Sequence, residues 1–598
     1  MSGKITTKAR IIALVLMSAM LLGGCSVSIN PSSQNQANTS SAGSENGTVK
    51  TDTGSAPAET GNSGADTNNT GTNDKQDIYI IFTSDVHCGV NDGFGYAGLK
   101  RIRDTLEENG FATILVDDGD HVQGDAIGTL TKGEDIIPIM NALKYDIAIP
   151  GNHDFDYGVE QFLKYPQLAD FPYISCNFNK DGKLLFDPYI IKEVAGVKIG
   201  FVGVTTPQTL IEDSPGSFKD ASGNHVYGFM EGDNGNKLYK AVQDAVDSVR
   251  AQGVDYVYLI GHLGNDKAAA PYNYMDVISN TTGIDVLLDG HSHDMDQVVM
   301  KNKEGKDVVR SACGYKLNAI GYSHIKAEDG TIDTNIWKWE SKDSIPDLLG
   351  IKNEISDLID AKMAELDVQL KKDVAKTDHD LVIYDPENKT DDGDPIRIVR
   401  TQETNLGDLC ADAARIRTGA DIGFINGGGV RDQIQKGDIT YGDIIAVQPF
   451  NNKTVVIEVT GQQIADALEW GVSSLPDENG GFLQVSGMTF SVDAKVKSGC
   501  VADVDGFLKE IKGERRVSDI KVGGKPIDVS AKYTVAGNSF LLTEKGNGYT
   551  CFDGAKIVQE DAGMDNQLLI DYIVESLDGT VGDDYSDPYG QGRIVIKE

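Results

Sequence analysis

Hydrophobic positions in this chain gather into short runs that break off in polar clusters. The runs Ile78-Tyr79-Ile80-Ile81-Phe82, Ala112-Thr113-Ile114-Leu115-Val116, Ile147-Ala148-Ile149, Tyr256-Val257-Tyr258-Leu259-Ile260 and Ile284-Asp285-Val286-Leu287-Leu288 are nearly continuous and rich in β-branched residues. That is how strands buried on both faces read. After them come Asp85-x-His87, Gly119-Asp120, Gly151-Asn152-His153-Asp154, Gly261-His262 and Gly290-His291-Ser292-His293. From about Asp74 to Glu340 strand-like and helix-like stretches alternate, which predicts an α/β layered domain with the clusters gathered along one sheet edge. The period then changes. Ile351, Ile355, Ile359, Met363, Leu366 and Leu370 recur every three or four positions, an amphipathic helix that either connects two α/β segments or lies on the surface of the first. A second α/β segment follows an Asp- and Gly-rich stretch at 391–394 and runs to Glu598.

A length of 598 residues exceeds one hydrophobic core. The predicted organisation is a signal peptide over 1–25, a tether over 26–73, a first α/β domain over 74–345, a connecting helix over 346–372 and a second domain over 373–598. Lys4, Lys8 and Arg10 precede an apolar run, Ile11 to Leu22, too short to span a membrane, and Leu22-Gly23-Gly24-Cys25 resembles a bacterial lipobox. Cys25 is therefore the expected lipidation site. From Ser26 to about Asn73 the chain is mostly Ser, Asn, Thr and Gly, which cannot build a core and predicts a disordered tether. Anchor and tether imply an extracytoplasmic protein held to the membrane by lipid. The other cysteines, 88, 176, 313, 410, 500 and 551, show no Cys-x-x-Cys spacing, which argues against a structural zinc site and leaves any disulfide pairing open.

Acidic residues outnumber basic ones 91 to 54, a formal charge of −37. Such a surface repels nucleic acid polymers, so no nucleic acid partner is expected. A small anionic substrate stays compatible if metals and a few arginines invert the field locally. The polar clusters supply the means. Asp120 suits a carboxylate that bridges two cations, Asp85 and His87 lie two apart on one extended segment, Asn152 offers a carbonyl oxygen, and His262, His291 and His293 offer imidazoles. This mixed set fits two divalent ions of the Mn²⁺, Zn²⁺, Co²⁺ or Fe²⁺ kind, which together make a nucleophile from water and neutralise a phosphoryl group. His121, next to Asp120, reads as a loop residue near the cleft rather than an eighth ligand.

The five clusters together resemble the signature of the calcineurin-like metallophosphoesterases, and Gly151-Asn152-His153-Asp154-Phe155-Asp156 resembles their secreted 5′-nucleotidase and UDP-sugar hydrolase branch. The resemblance implies a four-layer α/β/β/α sandwich joined by a helix to a second α/β domain. It also implies a catalytic dyad, with His153 facing the phosphoryl oxygens and Asp156 orienting its ring. The second segment carries Asn405-Leu406-Gly407, Asn426-Gly427-Gly428-Gly429-Val430-Arg431, Gln448-Pro449-Phe450, Asn538-Ser539-Phe540 and Gly546-Asn547-Gly548-Tyr549, similar to that family's C-terminal domain. By the same resemblance Phe450 and Phe540 sandwich a nucleobase, Asn452 meets its edge, and Arg400, Asn426 and Arg431 reach the phosphate. Two positions depart from the family pattern. His293 stands where some nucleotidases have glutamine, and Asn547 replaces the aspartate that binds ribose hydroxyls, so its hydrogen bond lacks a carboxylate's charge.

The implied activity is hydrolysis of nucleotide phosphate esters, with 5′-nucleotides favoured and UDP-sugars or 2′,3′-cyclic nucleotides as alternatives. Domain movement about the helix at Ile355 to Leu370 is a further family implication. A non-enzymatic solute-binding lipoprotein is the competing class. It would also join a lipid anchor to two lobes, but it has no use for seven metal-ligand types. Oligomeric state is not readable from the chain.

Overall fold

A computed structural model describes residues 27–29, 76–213, 215–220, 224–339, 351–390, 393, 395–503 and 506–597. The first half is built on two six-stranded sheets. One runs in the order Val27–Ile29, Ile332–Lys338, Ala319–Ile325, Ile78–Thr83, Ala112–Asp117, Ile147–Ala148, and the other in the order Met295–Lys301, Asp307–Cys313, Val286–Asp289, Tyr256–His262, Val197–Thr205, Tyr189–Val194. Alternation along each strand explains how they stack. Ile78, Ile80 and Phe82 join Phe201, Tyr258, Ile260 and Leu288 in a core between the sheets. Tyr79 and Ile81 turn the other way, into a core shared with the helices Gly95–Glu108 and Ile136–Leu143. Leu259 and Leu287 pack under Asn236–Arg250 and Tyr274–Asn280. The result is a helix–sheet–sheet–helix sandwich, and the nearly continuous apolar runs follow from strands covered on both faces.

Register decides where the polar clusters go. Ile78–Thr83, Ala112–Asp117 and Ile147–Ala148 are parallel, with Thr83 level with Asp117 and Asp117 level with Ala148. Tyr256–His262 is parallel to Val286–Asp289 and to Val197–Thr205, with Gly261 level with Asp289 and His262 with Thr205. The C-terminal ends of these strands are therefore flush, and the loops that leave them meet at one edge.

The tether expected from Ser26 onward needs one correction. Val27–Ile29 form a short strand antiparallel to Ile332–Thr334, on what would otherwise be the sheet's free edge. A Val-Ser-Ile triplet has the β-branched content to fill such an edge, because exposed ladder groups pair with any extended segment nearby. Cys25, the signal segment and residues 30–75 lie outside the described residues. Within the described residues no helix is long and apolar enough to cross a membrane, and the six later cysteines are free thiols.

Glu354–Leu370 forms one helix, capped by Asn353, whose side chain accepts from the Ile355 and Ser356 amides while Ser356 accepts from the Asn353 amide. Ile355 and Ile359 are fully buried among the helices of the first half, and the C-terminal end of the helix, at Leu370, meets Gly442 in Tyr441–Val447 of the second. The second half contains a five-stranded sheet, Leu483–Ser486, Ile422–Asn426, Lys532–Asn538, Thr454–Thr460, Lys556–Gln559, and a four-stranded one, Lys525–Pro526, Val517–Val522, Met488–Asp493, Ile594–Lys597. The glycine triplet caps the strand Ile422–Asn426, and a Cβ at Gly427 would lie 2.3 Å from the Val399 carbonyl oxygen, so no larger residue fits there.

Replacing Ile359 by alanine is predicted to cost about 2–5 kcal/mol, the range for emptying a buried aliphatic site. Thermal unfolding followed by circular dichroism should show a lowered transition for the first half.

Candidate metal centre and substrate cavity

The seven expected ligands converge at the shared sheet edge. His87 Nε2 lies 3.1 Å from His293 Nε2 and 3.8 Å from Asp120 Oδ2, and Asp85 Oδ1 is 3.6 Å from His293 Nε2. On the other side of Asp120 the same Oδ2 is 3.1 Å from His262 Nε2, which is 3.0 Å from Asn152 Oδ1; that oxygen is 2.8 Å from His291 Nδ1. One carboxylate oxygen thus touches both groups of donors. Tautomers are set from behind: His87 Nδ1 is 3.0 Å from the Gln123 carbonyl and His262 Nδ1 2.8 Å from the Asp118 carbonyl. A carbonyl only accepts, so each Nδ1 carries the proton and each Nε2 is left to bind a cation. Lone pairs packed this closely repel unless positive charge lies between them, and the donor set fits divalent ions for that reason.

The electrostatics agree. Burial pulls His87 and His291 down to about 3, leaving both rings neutral and ligand-ready. Burial also works against charge on His262, yet Asp120 and Asp85 outweigh it and hold the ring up to about 10.

Backbone strain accompanies this convergence. Asp85, His87, Asp120, His291 and His293 have φ of 52°, 46°, 60°, 84° and 58°, a region that costs non-glycine residues about 1–3 kcal/mol each. A single buried carboxylate braces two of the loops. Asp154 Oδ2 accepts from the amides of Asp120 (3.0 Å) and Gly151 (2.8 Å), and Oδ1 accepts from those of His121 (3.1 Å) and Val122 (3.2 Å). A second brace is Arg310, fully buried between Asp289 and Asp294. Asp289 also accepts from the Leu263 amide at 2.9 Å, tying the His262 loop to the His291–His293 loop. His121 corrects its expected place: it is fully buried below the site, 2.8 Å from Asp117 and 2.7 Å from the Tyr173 hydroxyl, and not at the cleft.

Next to the donors lies a cavity of about 760 Å³. Its walls include His153 and Asp156 from the first half and Arg400, Asn426, Arg431, Phe450, Asn452, Phe540 and Asn547 from the second. His153 Nδ1 is 2.8 Å from Asp156 Oδ2, and the His153 ring faces Phe450 at 6.0 Å between centroids, across the two halves. Arg431 lies over Phe450 at 5.7 Å. Arg397, on the same wall, pairs with Glu478 at 2.7 Å. Burial, and then the Arg397 and Arg431 cations, disfavour charge on Arg400, a condition that an anion in the cavity would relieve. Asn426 is engaged at both ends, accepting from Asn538 at 3.0 Å and donating to Asn547 Oδ1 at 3.2 Å, so its amide ties the loop at Asn547 to the strand rather than standing free for phosphate.

Residues 78–295 match the calcineurin-like phosphoesterase family and residues 384–554 match the 5′-nucleotidase C-terminal domain. The chain belongs to the family that joins these two domains. It is a metal-dependent phosphoester hydrolase, which sets aside the solute-binding reading. Among its relatives is the trifunctional nucleotide phosphoesterase protein YfkN of Bacillus subtilis, 26% identical over 83% of this chain; this chain spans only 34% of that protein's length. A 5′-nucleotidase of Vibrio cholerae is 27% identical over 79% of this chain and 84% of its own. The crystal structure of a 5′-nucleotidase precursor from Thermus thermophilus superposes with a TM-score of 0.69 at 25% identity, covering 87% of this chain and 99% of the other.

Several neighbours of this phosphoesterase site escaped the sequence reading. Gln208 Oε1 lies 3.3 Å from His291 Nε2, and Asp213 contacts Asn152 and His153. Tyr315 stacks on the His293 ring at 4.9 Å. The first two follow the strand Val197–Thr205, which ends at the same edge, so its apolar run was the available signal. Arg397, in Arg397-x-x-Arg400, was also visible as a paired cation.

Substituting Asp154 by alanine strands four buried amides and should lower affinity for Mn²⁺ by tenfold or more, on the order of supporting-residue losses at metal sites. Calorimetric titration of metal-stripped protein measures it. Unchanged affinity would show that the two loops hold without the brace.

Proposed function

We propose that this hydrolase removes the 5′-phosphate from nucleotides outside the cytoplasmic membrane, using two divalent ions of the Mn²⁺, Zn²⁺, Co²⁺ or Fe²⁺ class. The observation that carries the reading is the cavity, shared by both halves, in which the His153 ring faces Phe450 at 6.0 Å. Asp85, His87, His293 and Asp120 would hold one ion, and Asp120, Asn152, His262 and His291 the other. When bound, such ions supply a nucleophile from water at neutral pH and screen the phosphoryl charge. His153 adds positive charge on the same face. Burial opposes its protonation, but Asp156, Asp213 and Asp120 outweigh burial and raise its pKa well above the ordinary value, so the ring is cationic where negative charge develops.

The other half of the cavity selects what carries the phosphate. Arg431 and Arg400 offer planar forks to its oxygens. Phe450 and Phe540 offer faces to a base of any identity, Asn452 an amide at its edge, and Asn547 an uncharged partner for ribose. UDP-sugars and 2′,3′-cyclic nucleotides present the same phosphate and base, and a substrate panel ranks them against AMP. The name of the trifunctional relative supports nucleotides as the substrate class. Lipidation at Cys25 would keep the enzyme on the outer face of the membrane.

Metal-stripped protein is predicted to leave AMP intact and to release phosphate when Mn²⁺ is restored. His153→Ala should lower kcat about 10²–10³-fold, the usual loss when a preorganised electrostatic donor is removed. Phe450→Ala should raise KM for AMP about tenfold, from the ~1–3 kcal/mol of a base stack, and leave p-nitrophenyl phosphate unaffected. Equal loss on both substrates would remove the base-stacking role.

A further inference from the structure

Asp213 lies at the end of the short helix Thr209–Glu212 and is fully buried. Its Oδ1 accepts from Asn152 Nδ2 at 3.3 Å and lies 3.1 Å from His153 Nδ1. One oxygen therefore serves a metal donor and the phosphoryl-facing histidine, which are consecutive in sequence but have different tasks. A side-chain amide has an oxygen end and a nitrogen end of nearly equal shape, and only its hydrogen bonds decide which end faces a cation. With Nδ2 held by Asp213, the Asn152 carbonyl oxygen is turned to His262 Nε2 and His291 Nδ1. The His153 ring has Asp156 Oδ2 at 2.8 Å and Asp213 Oδ1 at 3.1 Å on the same nitrogen, which fixes Nδ1 as the inner atom and leaves Nε2 as the outer one.

Asp213 sits in a segment packed on both the metal donors and the second half. Gln208, from the same segment, lies against His291 Nε2 at 3.3 Å, and the helix Thr209–Glu212 packs on its far side against Gly546–Gly548, the loop that carries Asn547. The segment is thus a strut between the metal donors and the substrate loop.

We propose that Asp213 is a positioning residue that orients the Asn152 carbonyl toward a metal and the His153 ring toward the phosphoryl group, turning the His153–Asp156 pair into a triad. The assignment rests on the metal-dependent reading of the site. What it requires is an oxygen acceptor at that point, more than a negative charge, because the contacts to Asn152 and His153 use the same atom. Asp213→Asn can keep that acceptor; Asp213→Ala cannot.

The test compares these variants with wild type in p-nitrophenyl phosphate hydrolysis with Mn²⁺ and in calorimetric Mn²⁺ titration of metal-stripped protein. For Asp213→Ala, kcat should fall about 10–100-fold with KM within about twofold of wild type, and affinity for one of the Mn²⁺ ions should fall about tenfold or more. Asp213→Asn should restore both to within about fivefold. Wild-type kcat and Mn²⁺ affinity in Asp213→Ala would overturn the proposal, as would an Asp213→Asn variant as impaired as the alanine one. A lowered melting temperature with both readouts unchanged would reduce Asp213 to a structural residue and overturn it equally. Should the alanine variant fail to fold, Asp213→Ser, too short to span the gap, takes its place in the same comparison. AMP is run alongside: wild type that binds Mn²⁺ and cleaves p-nitrophenyl phosphate but not AMP would sink the nucleotide reading and leave the Asp213 comparison intact.

Discussion

The bracing of strained loops by buried carboxylates is the constraint on which this site depends. Asp154 accepts four backbone amides from two loops beyond the strand ends, and in doing so ties the Asp120 loop to the one that carries Asn152. Glycine makes the close packing sterically possible. A Cβ on Gly151 would lie 2.2 Å from Asp120 Oδ1, and one on Gly290 2.0 Å from Ser84 Oγ. Hydrogen bonds to an ionised acceptor are individually worth about 1.5–3 kcal/mol, enough in number to offset several left-handed residues. The strain is local and the brace is local, so the sheets beneath need only deliver the strand ends flush.

Charge gives the site its second character. A chain of net charge −37 presents, inside one cavity, Arg397, Arg400 and Arg431 together with the cationic His153. Divalent ions among Asp85, Asp120 and the histidines would complete the inversion. An anionic group is drawn to such a place, and the net negative charge of the chain opposes polyanions. The two halves share the labour: donors of metal and proton come from the sandwich, and arginines and aromatic faces come from the second half.

Much of this was legible in the chain. Strand runs ending in Asp, Asn and His clusters were enough to name seven donors, because a metal ligand must be of a few residue types and must sit beyond a strand end; the His153–Asp156 pair came from the family resemblance. The substrate residues of the second half were named through resemblance, since a phenylalanine after a proline or an asparagine in a turn looks like ordinary packing. Asp213, Gln208 and Tyr315 were not legible. Each acts through a hydrogen bond or a ring stack with a residue about 22 to 83 positions away, as with Tyr315 on His293 and Gln208 on His291, and the apolar run before Gln208 and Asp213 signals only a strand end, not which residues beyond it reach the site. His121 and Val27–Ile29 were misread for a related cause: burial and edge pairing are decided by what covers a residue, here Tyr173 and the strand Ile332–Lys338.

The sequence by itself determined the chemistry available to this protein, because side-chain type and strand-end position are local properties carried by a few consecutive residues. Only the tertiary structure decided how that chemistry is aimed. Which end of the Asn152 amide faces the metal donors, which nitrogen of His153 faces the cavity, and which loop holds which, depend on partners brought together by sheet register and by the packing of one half on the other.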